Sequence, residues 1–332
     1  MDPLLEPEGR TRGRRHVTVR DGKAGLPYSK GLMATSVMAA GLPPYEAFHV
    51  AEVIEERLHA ESRVTVSSVE LRQIAASVLE EVVGMQYADN YRLWQQAQDR
   101  KVPLIVLIGG ATGVGKSTIA TMVANRLGIV RIVSTDAVRE VMRGIFTKEM
   151  MPSLHTSSFE VTTLLQDPPG DADPVIAGFR HQVHAVAVGL AQLLQRALIE
   201  GTDLIVEGAH IVPGFLRFPS REAAIVVPSV ISVDDEQIHR SHFVARASDV
   251  RSRGEQRYLD HFDDIRKIQD YVRALALEHG VPVISSHALD STVKRVVELV
   301  VSAATDAPNL EARSAPLVPY PYKTHSEAVT GG

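Results

Sequence analysis

The chain has no cysteine among its 332 residues, which excludes disulfide bridges and thiolate metal sites and fits a reducing cytoplasm. It lacks any apolar run long enough for a membrane helix, so no membrane partner is expected. Arg10, Arg12, Arg14 and Arg15 would suit the head of a secretory signal, but no apolar core follows them; residues 1–15 read as a disordered, solvated leader. A surplus of positive charge is missing as well. Lys and Arg number 35 against 40 Asp and Glu, a net charge of −5, and outside two local clusters the basic residues are scattered, which argues against nucleic acid as a partner. The hydrophobic content of 45% is ordinary for a globular chain, and the length allows one large domain with a smaller one.

The strongest pattern runs from Leu104 to Gly128. Five apolar residues predict a strand buried on both faces, and Gly110, Gly113, Gly115, Lys116 and Ser117 fit G-x-x-x-x-G-K-[ST]. A triphosphate tail needs several N–H donors converging on it, and glycines leave the room for a backbone to curl that tightly. Gly110, Ala111, Thr112, Gly113, Val114, Gly115, Lys116, Ser117 and Thr118 are therefore the candidate nucleotide-binding residues. Lys116 adds positive charge at the β and γ phosphates, Ser117 offers a hydroxyl to Mg²⁺, and the helix beginning there points its positive dipole end at the anion. The expected ligands are ATP and Mg²⁺.

Ahead of this stretch, residues 16–22 alternate as a short strand entering a hairpin or loop. Three helices follow: one capped by Ser29 and stopping at Gly41, one opened by Pro43 and Pro44, and one announced by the capping box of Ser67 and Glu70 and ended by Gly84. Residues 16–92 thus read as a small, mainly helical domain. Tyr87 to Asp99 reads as a connecting helix, with the linker proper at 93–101 and the main domain at 102–304.

Within the main domain, Arg131 to Asp136 is a second strand ending in a carboxylate, followed by a helix carrying Arg139. Ligands gather at the C-terminal ends of strands in open α/β sheets, which places Asp136 across a cleft from Lys116; the alternative is that Asp136 only caps its helix. The polar stretch from Phe146 to Phe179, with Lys148, is too long for a simple connection and reads as a substrate-side insertion. A helix from about Arg180 to Glu200 follows, on which His181 and His184 are structural. Leu204 to His210 is the third strand. Its Glu207 stands where P-loop proteins often carry the carboxylate that holds Mg²⁺, and His210 is either a site residue or a partner of nearby backbone. Ile225 to Val233 is the fourth strand, with Pro228 suggesting an irregular start. His239, Arg240, His242, Arg246, Arg251, Arg253 and Arg257 then crowd around Gly254, as in a lid that brings arginines onto phosphates. A long helix from Tyr258 to His279, a fifth strand at Val281 to Ile284, an exit loop at Ser285 to Asp290 suited to adenine, and a helix from Ser291 to Ala304 complete the domain. Residues 305–332 read as a disordered tail. The fold class is α/β, a P-loop kinase-type parallel five-stranded sheet with helices on both faces.

Two resemblances add to this reading. Val19-Arg-Asp-Gly22, Pro27-Tyr-Ser-Lys30 and the helices after them resemble the ATP-cone, a regulatory nucleotide-binding module, although Val19 stands where that module usually has a second basic residue. Ile108 to Thr118, Ser134 to Arg143, Val206 to Gly214 and Arg257 to Tyr271 resemble the 2-phosphoglycerate kinase family, over the whole of residues 102–304. That resemblance implies transfer of the γ-phosphoryl group of ATP to the free hydroxyl of 2-phosphoglycerate, giving 2,3-bisphosphoglycerate. The partner is then a small phosphorylated metabolite, with a phosphomevalonate or an inositol phosphate as the alternatives. Lys116, Asp136 and Arg246 are the candidate catalytic residues, Arg139, Lys148, His210 and Arg257 the candidate acceptor contacts, and Ser117 and Glu207 the candidate metal ligands. A nucleotide-sensing regulatory protein is the competing class, disfavoured because a sensor needs no acceptor-activating carboxylate. The sequence assigns no oligomeric state.

Overall fold

A computed structural model describes residues 17–21, 24–160, 173–249 and 255–305, apart from the side chains of 24, 245–249 and 255. The leader over 1–15, residues 306–332 of the tail, residues 161–172 of the insertion, and Arg251, Arg253 and Gly254 of the lid lie outside the described residues. The chain divides into two compact units, Met1–Gln95 and Gln96–Gly332.

In the first unit, β1 (Thr18–Asp21) pairs antiparallel with β2 (Ala24–Pro27) and parallel with β3 (Thr65–Ser67). Of these strands the pattern suggested only the first, because β3 has three residues, too few for an alternation to register. Ser29 caps α1 (Lys30–Met38) by accepting from the Leu32 amide at 3.4 Å, and Pro44 opens α2 (Pro44–Ala60), where a missing N–H costs nothing. The capping box forms at α3 (Ser68–Val82): the Ser67 hydroxyl accepts from the Glu70 amide at 3.1 Å, and Glu70 accepts from the Ser67 amide at 2.9 Å. Helix α4 (Met85–Gln98) follows. Leu42, Ile54, Leu58, Leu79 and Tyr91 are fully buried in this unit's core, where truncating an aliphatic side chain to alanine costs about 2–5 kcal/mol.

The second unit holds five parallel strands in the order β5-β6-β4-β7-β8: β4 (Leu104–Gly109), β5 (Ile132–Ser134), β6 (Leu204–Glu207), β7 (Ile225–Ser232) and β8 (Val283–Ser285). Strand β4 is third of five, so all six of its residues are buried, as its unbroken apolar run requires. Its Ile105 and Leu107 join the cluster built by Val186, Leu190 and Leu194 of α7 (Pro174–Glu200). Helix α5 (Lys116–Leu127) packs with α11 (Leu289–Thr305), and α7 with α10 (Phe262–Glu278). Helix α6 (Thr135–Ile145) leaves β5 directly, and α8 (Glu236–Asp249) and α9 (Glu255–Asp260) lie between β7 and α10.

Three elements differ from the sequence expectation, each for a local reason. Helix α7 starts at Pro174, six residues early, because Asp173 caps it, accepting from the Val175 amide at 2.8 Å, and proline suits the first helical position. The helix expected from Tyr258 to His279 is two, α9 and α10, separated at His261 (φ −107°, ψ 21°). The break lets Tyr258 stack on Phe243 (ring centroids 5.3 Å apart) while Phe262 packs against His239 (5.4 Å). Strand β7 runs through Pro228 without irregularity. The Ile225 amide donates to β4's side and the Val230 amide to Pro282, so by alternation the nitrogen of residue 228 faces β8's side, and β8 pairs only from Val230 onward.

Candidate active site

Strand register assembles the site. Ile108 lies opposite Glu207, and Ser134 lies opposite Glu207 on the other side, so the exits of β4, β6 and β5 stand in one row. From β4 the chain enters the glycine loop. Gly110 has φ +137°, and a Cβ there would stand 2.3 Å from the Ile231 carbonyl oxygen; Gly113 has φ +86°, and a Cβ there would stand 2.3 Å from the Phe243 ring. Ala111 and Val114 are buried, and Gly115 leads into α5, whose first turn carries Lys116, Ser117 and Thr118. The Lys116 ammonium folds back over the loop, donating to the Ala111 carbonyl at 2.6 Å. The Ser117 hydroxyl donates to Glu207 Oε1 at 3.0 Å, and Glu207 is 6% exposed.

Such a hydroxyl and carboxylate side by side suit a hard divalent ion that takes its remaining ligands from water and phosphate. Among the described residues no cluster of three or more His, Cys, Asp or Glu offers an all-protein cage. The donor set therefore fits Mg²⁺ carried with a nucleotide.

The outer side of the loop is anchored by α8. His239 Nε2 donates to the Thr112 carbonyl and His242 Nδ1 to the Gly113 carbonyl, both at 2.8 Å, while Phe243 sits against Gly113. These residues fell within the expected lid; the histidines instead hold the carbonyl side of the loop and leave its amides to face an anion. Burial pushes the His239 pKa down to about 4, so it acts as a neutral donor. Arg240 packs over the Phe262 ring at 4.2 Å. Arg257 forms a two-pronged ion pair with Glu160 and donates to the Ser157 hydroxyl at 2.8 Å, which fixes the middle of the insertion to α9. Arg246 is on α8, and its side chain lies outside the described residues.

On the other side of the row, Ser134 caps α6, accepting from the Ala137 amide at 3.1 Å. Capping is thus done by Ser134, and Asp136, with a side chain 68% exposed, is free of that duty and lies 3.4 Å from Arg139 Nε. The Arg139 guanidinium donates to the carbonyls of Thr156 (2.7 Å) and Leu154 (3.3 Å) and pairs with Glu140, so in this arrangement it braces the insertion instead of presenting a free fork. Lys148 is exposed in the turn before the short helix Pro152–His155. His210 is 1% exposed with both ring nitrogens engaged, Nδ1 with Thr135 and Nε2 with Gln182, so direct substrate contact is corrected to an internal role. Burial lowers its pKa to about 4, which Asp136 opposes and Arg139 and Lys116 reinforce.

Sequence reasoning missed Thr135, Gln182, Gly208 and Phe243. Gln182 left a signal, a polar residue on the buried face of α7 beside Phe179, Val183 and Val186. Gly208, next to Glu207, left another: its φ is +150°, and a Cβ would stand 1.9 Å from Thr135 Oγ1.

A parallel sheet with a glycine loop leaving its central strand, a lysine and serine opening the next helix, and a carboxylate on the neighbouring strand is the P-loop kinase fold. Residues 89–160 match the Zeta toxin family. The 2-phosphoglycerate kinase of Methanopyrus kandleri is 39% identical over 303 residues, covering 91% of this chain and 92% of the relative. Those of Thermococcus kodakarensis (40% identical, 85% of this chain, 95% of the relative) and Pyrococcus furiosus (39%, 85% and 92%) are similar to it over nearly the same extent. The chain belongs to the 2-phosphoglycerate kinase family.

Proposed function

We propose that the protein transfers the γ-phosphoryl group of ATP to the hydroxyl of 2-phosphoglycerate, giving 2,3-bisphosphoglycerate and ADP. Likeness to 2-phosphoglycerate kinases along nearly the whole chain carries this reading. The site's geometry supports the phosphoryl transfer. The bond between the β,γ-bridging oxygen and the γ-phosphorus breaks, the acceptor oxygen bonds to that phosphorus, and the hydroxyl proton goes to a base.

In this reading the loop amides of Gly110 to Thr118 and the Lys116 ammonium hold the triphosphate, with a phosphate oxygen replacing the Ala111 carbonyl as acceptor from Lys116. Ser117 and Glu207 hold Mg²⁺, which when bound offsets the negative charge shared by the phosphates. Asp136 orients the acceptor hydroxyl and takes its proton; its exposure and release from capping support that role. Lys148 meets the acceptor's own phosphate, and Arg139 shapes its pocket through the carbonyls it holds. Arg246, on α8, counters charge developing during transfer, and Arg257 holds the insertion through Glu160. The reaction belongs to a cytoplasmic pool of small metabolites.

Purified protein with ATP and Mg²⁺, offered 2-phosphoglycerate, glycerate and an inositol phosphate in turn, tests the reading. Transfer to 2-phosphoglycerate with far weaker transfer to glycerate, which lacks the second phosphate, is the expected outcome. Equal transfer to glycerate, or use of the inositol phosphate alone, refutes the acceptor assignment.

A further inference from the structure

One buried polar network lies beside the site without belonging to the transfer chemistry. Thr135, Gln182 and His210 are each at most 1% exposed. Burying three such groups is costly unless their hydrogen bonds are met. Here they are met in a line. Thr135 Oγ1 is 2.8 Å from His210 Nδ1, His210 Nε2 is 3.0 Å from Gln182 Oε1, and Gln182 Nε2 reaches the carbonyls of Ser153 (2.5 Å) and Thr156 (3.0 Å).

The hydrogens have one consistent placement. Carbonyls only accept, so the amide nitrogen of Gln182 must face Ser153 and Thr156, and its oxygen must face the histidine. That oxygen only accepts, so His210 Nε2 carries the hydrogen; in the neutral ring Nδ1 is then the acceptor and the Thr135 hydroxyl donates to it. The Thr156 carbonyl also accepts from Arg139 at 2.7 Å, so helices α6 and α7 grip the same point of the insertion. Gly208 allows the close approach of β6's exit to Thr135, since any Cβ there would overlap the hydroxyl. The line therefore runs from the first turn of α6, beside Asp136, through the loop after Glu207, into the acceptor-side segment.

We propose that His210, as the neutral Nε2–H tautomer, and Gln182 are positioning residues that hold residues 153–156 and the first turn of α6 in register with the strand end bearing Glu207. The acceptor pocket and Asp136 are thereby set against the phosphate loop without either residue touching substrate. This rests on the kinase reading above.

Two measurements test it. Long-range ¹⁵N–¹H correlation spectra of the full chain labelled at histidine, with His210→Gln used to assign the signal, should show His210 protonated at Nε2 and bare at Nδ1 around neutral pH. A ring protonated at Nδ1, or at both nitrogens, overturns the proposal whatever the acceptor proves to be. The second measurement is kinetic. Gln182→Leu and His210→Asn, which lose the link between α7 and the loop, should raise the acceptor KM about tenfold, the scale of one buried hydrogen bond, with the ATP KM within about twofold. His210→Gln keeps a donor near the Nε2 position and should recover most of that loss. Unchanged acceptor KM in Gln182→Leu and His210→Asn, or equal rises in both KM values, overturns it. A wild-type protein that ignores 2-phosphoglycerate defeats the acceptor assignment alone, and the tautomer then decides whether the positioning network stands.

Discussion

Gly208→Ala isolates the point where β6's exit meets α6. The residue's φ of +150° is a conformation that L side chains rarely adopt, and holding one in such a region costs about 1–3 kcal/mol. The added Cβ would stand 1.9 Å from Thr135 Oγ1 and 2.8 Å from its Cβ, so Thr135, fully buried and bonded to His210, has to move. Overpacking of this kind adds about 1–3 kcal/mol, and a hydrogen bond lost in a buried site adds about 1–3 kcal/mol more. The total is roughly 3–6 kcal/mol once partial relaxation is allowed. Gly128→Ala is the control: φ is +68° and nothing lies within 4 Å, so only the backbone term of about 1 kcal/mol applies. Thermal unfolding of both variants measures the difference, which at about 2–4 °C per kcal/mol for a unit of this size should place Gly208→Ala at least 4 °C below Gly128→Ala. Equal melting temperatures would refute the steric reasoning. Thr135→Ala in the Gly208→Ala background should recover part of the loss, because it removes the oxygen in the way.

Other outcomes follow from the same geometry. Lys116→Ala should abolish turnover with little change in melting temperature, because the ammonium contributes electrostatics and a loop hydrogen bond; acceptor-dependent ADP formation measures it. Asp136→Asn should cut kcat by about 10²–10⁴, the range of a lost general base, and leave stability intact because Ser134 does the capping; near-normal kcat would remove Asp136 from the chemistry. Burial holds His210 and His239 near pKa 4 in the folded chain, below the usual value of 6.5, so the unfolded chain binds more protons between those values. Their stabilisation is complete above about pH 6.5 and is lost as pH falls toward 4, at about 1.4 kcal/mol per pH unit for each histidine. Urea titrations from pH 7 to 4.5 read that slope, and His239→Gln should remove about half of it.

Much of the nucleotide side was legible because it is local. Strand β4 announces itself by an unbroken apolar run, Gly110 to Ser117 by a spacing that backbone sterics impose, and α3 by a capping box complete within four residues. The alternation of strands and helices was enough to predict five parallel strands, since each crossover has to bury its own apolar stripe. Glu207 stood out as a carboxylate at the end of a buried run, and the parallel register then set it beside Ile108 and Ser134.

Tertiary structure decided what depends on partners distant in sequence. No spacing rule says that His210 turns inward to Thr135 and Gln182 and away from solvent, because that depends on how close Gly208 lets two elements approach. Nor does composition say that His239 and His242 anchor the Thr112 and Gly113 carbonyls while their neighbour Arg240 lies over Phe262; the three share one basic stretch, and only the docking of α8 separates their duties. Arg139 and Arg257 read as free cations in the sequence and are engaged in the fold, one by the carbonyls of Leu154 and Thr156, the other by Glu160. A charge or a hydrogen-bonding group is written in the chain, but its partner is chosen by packing, and the partner decides whether that group meets a substrate or holds the wall that does.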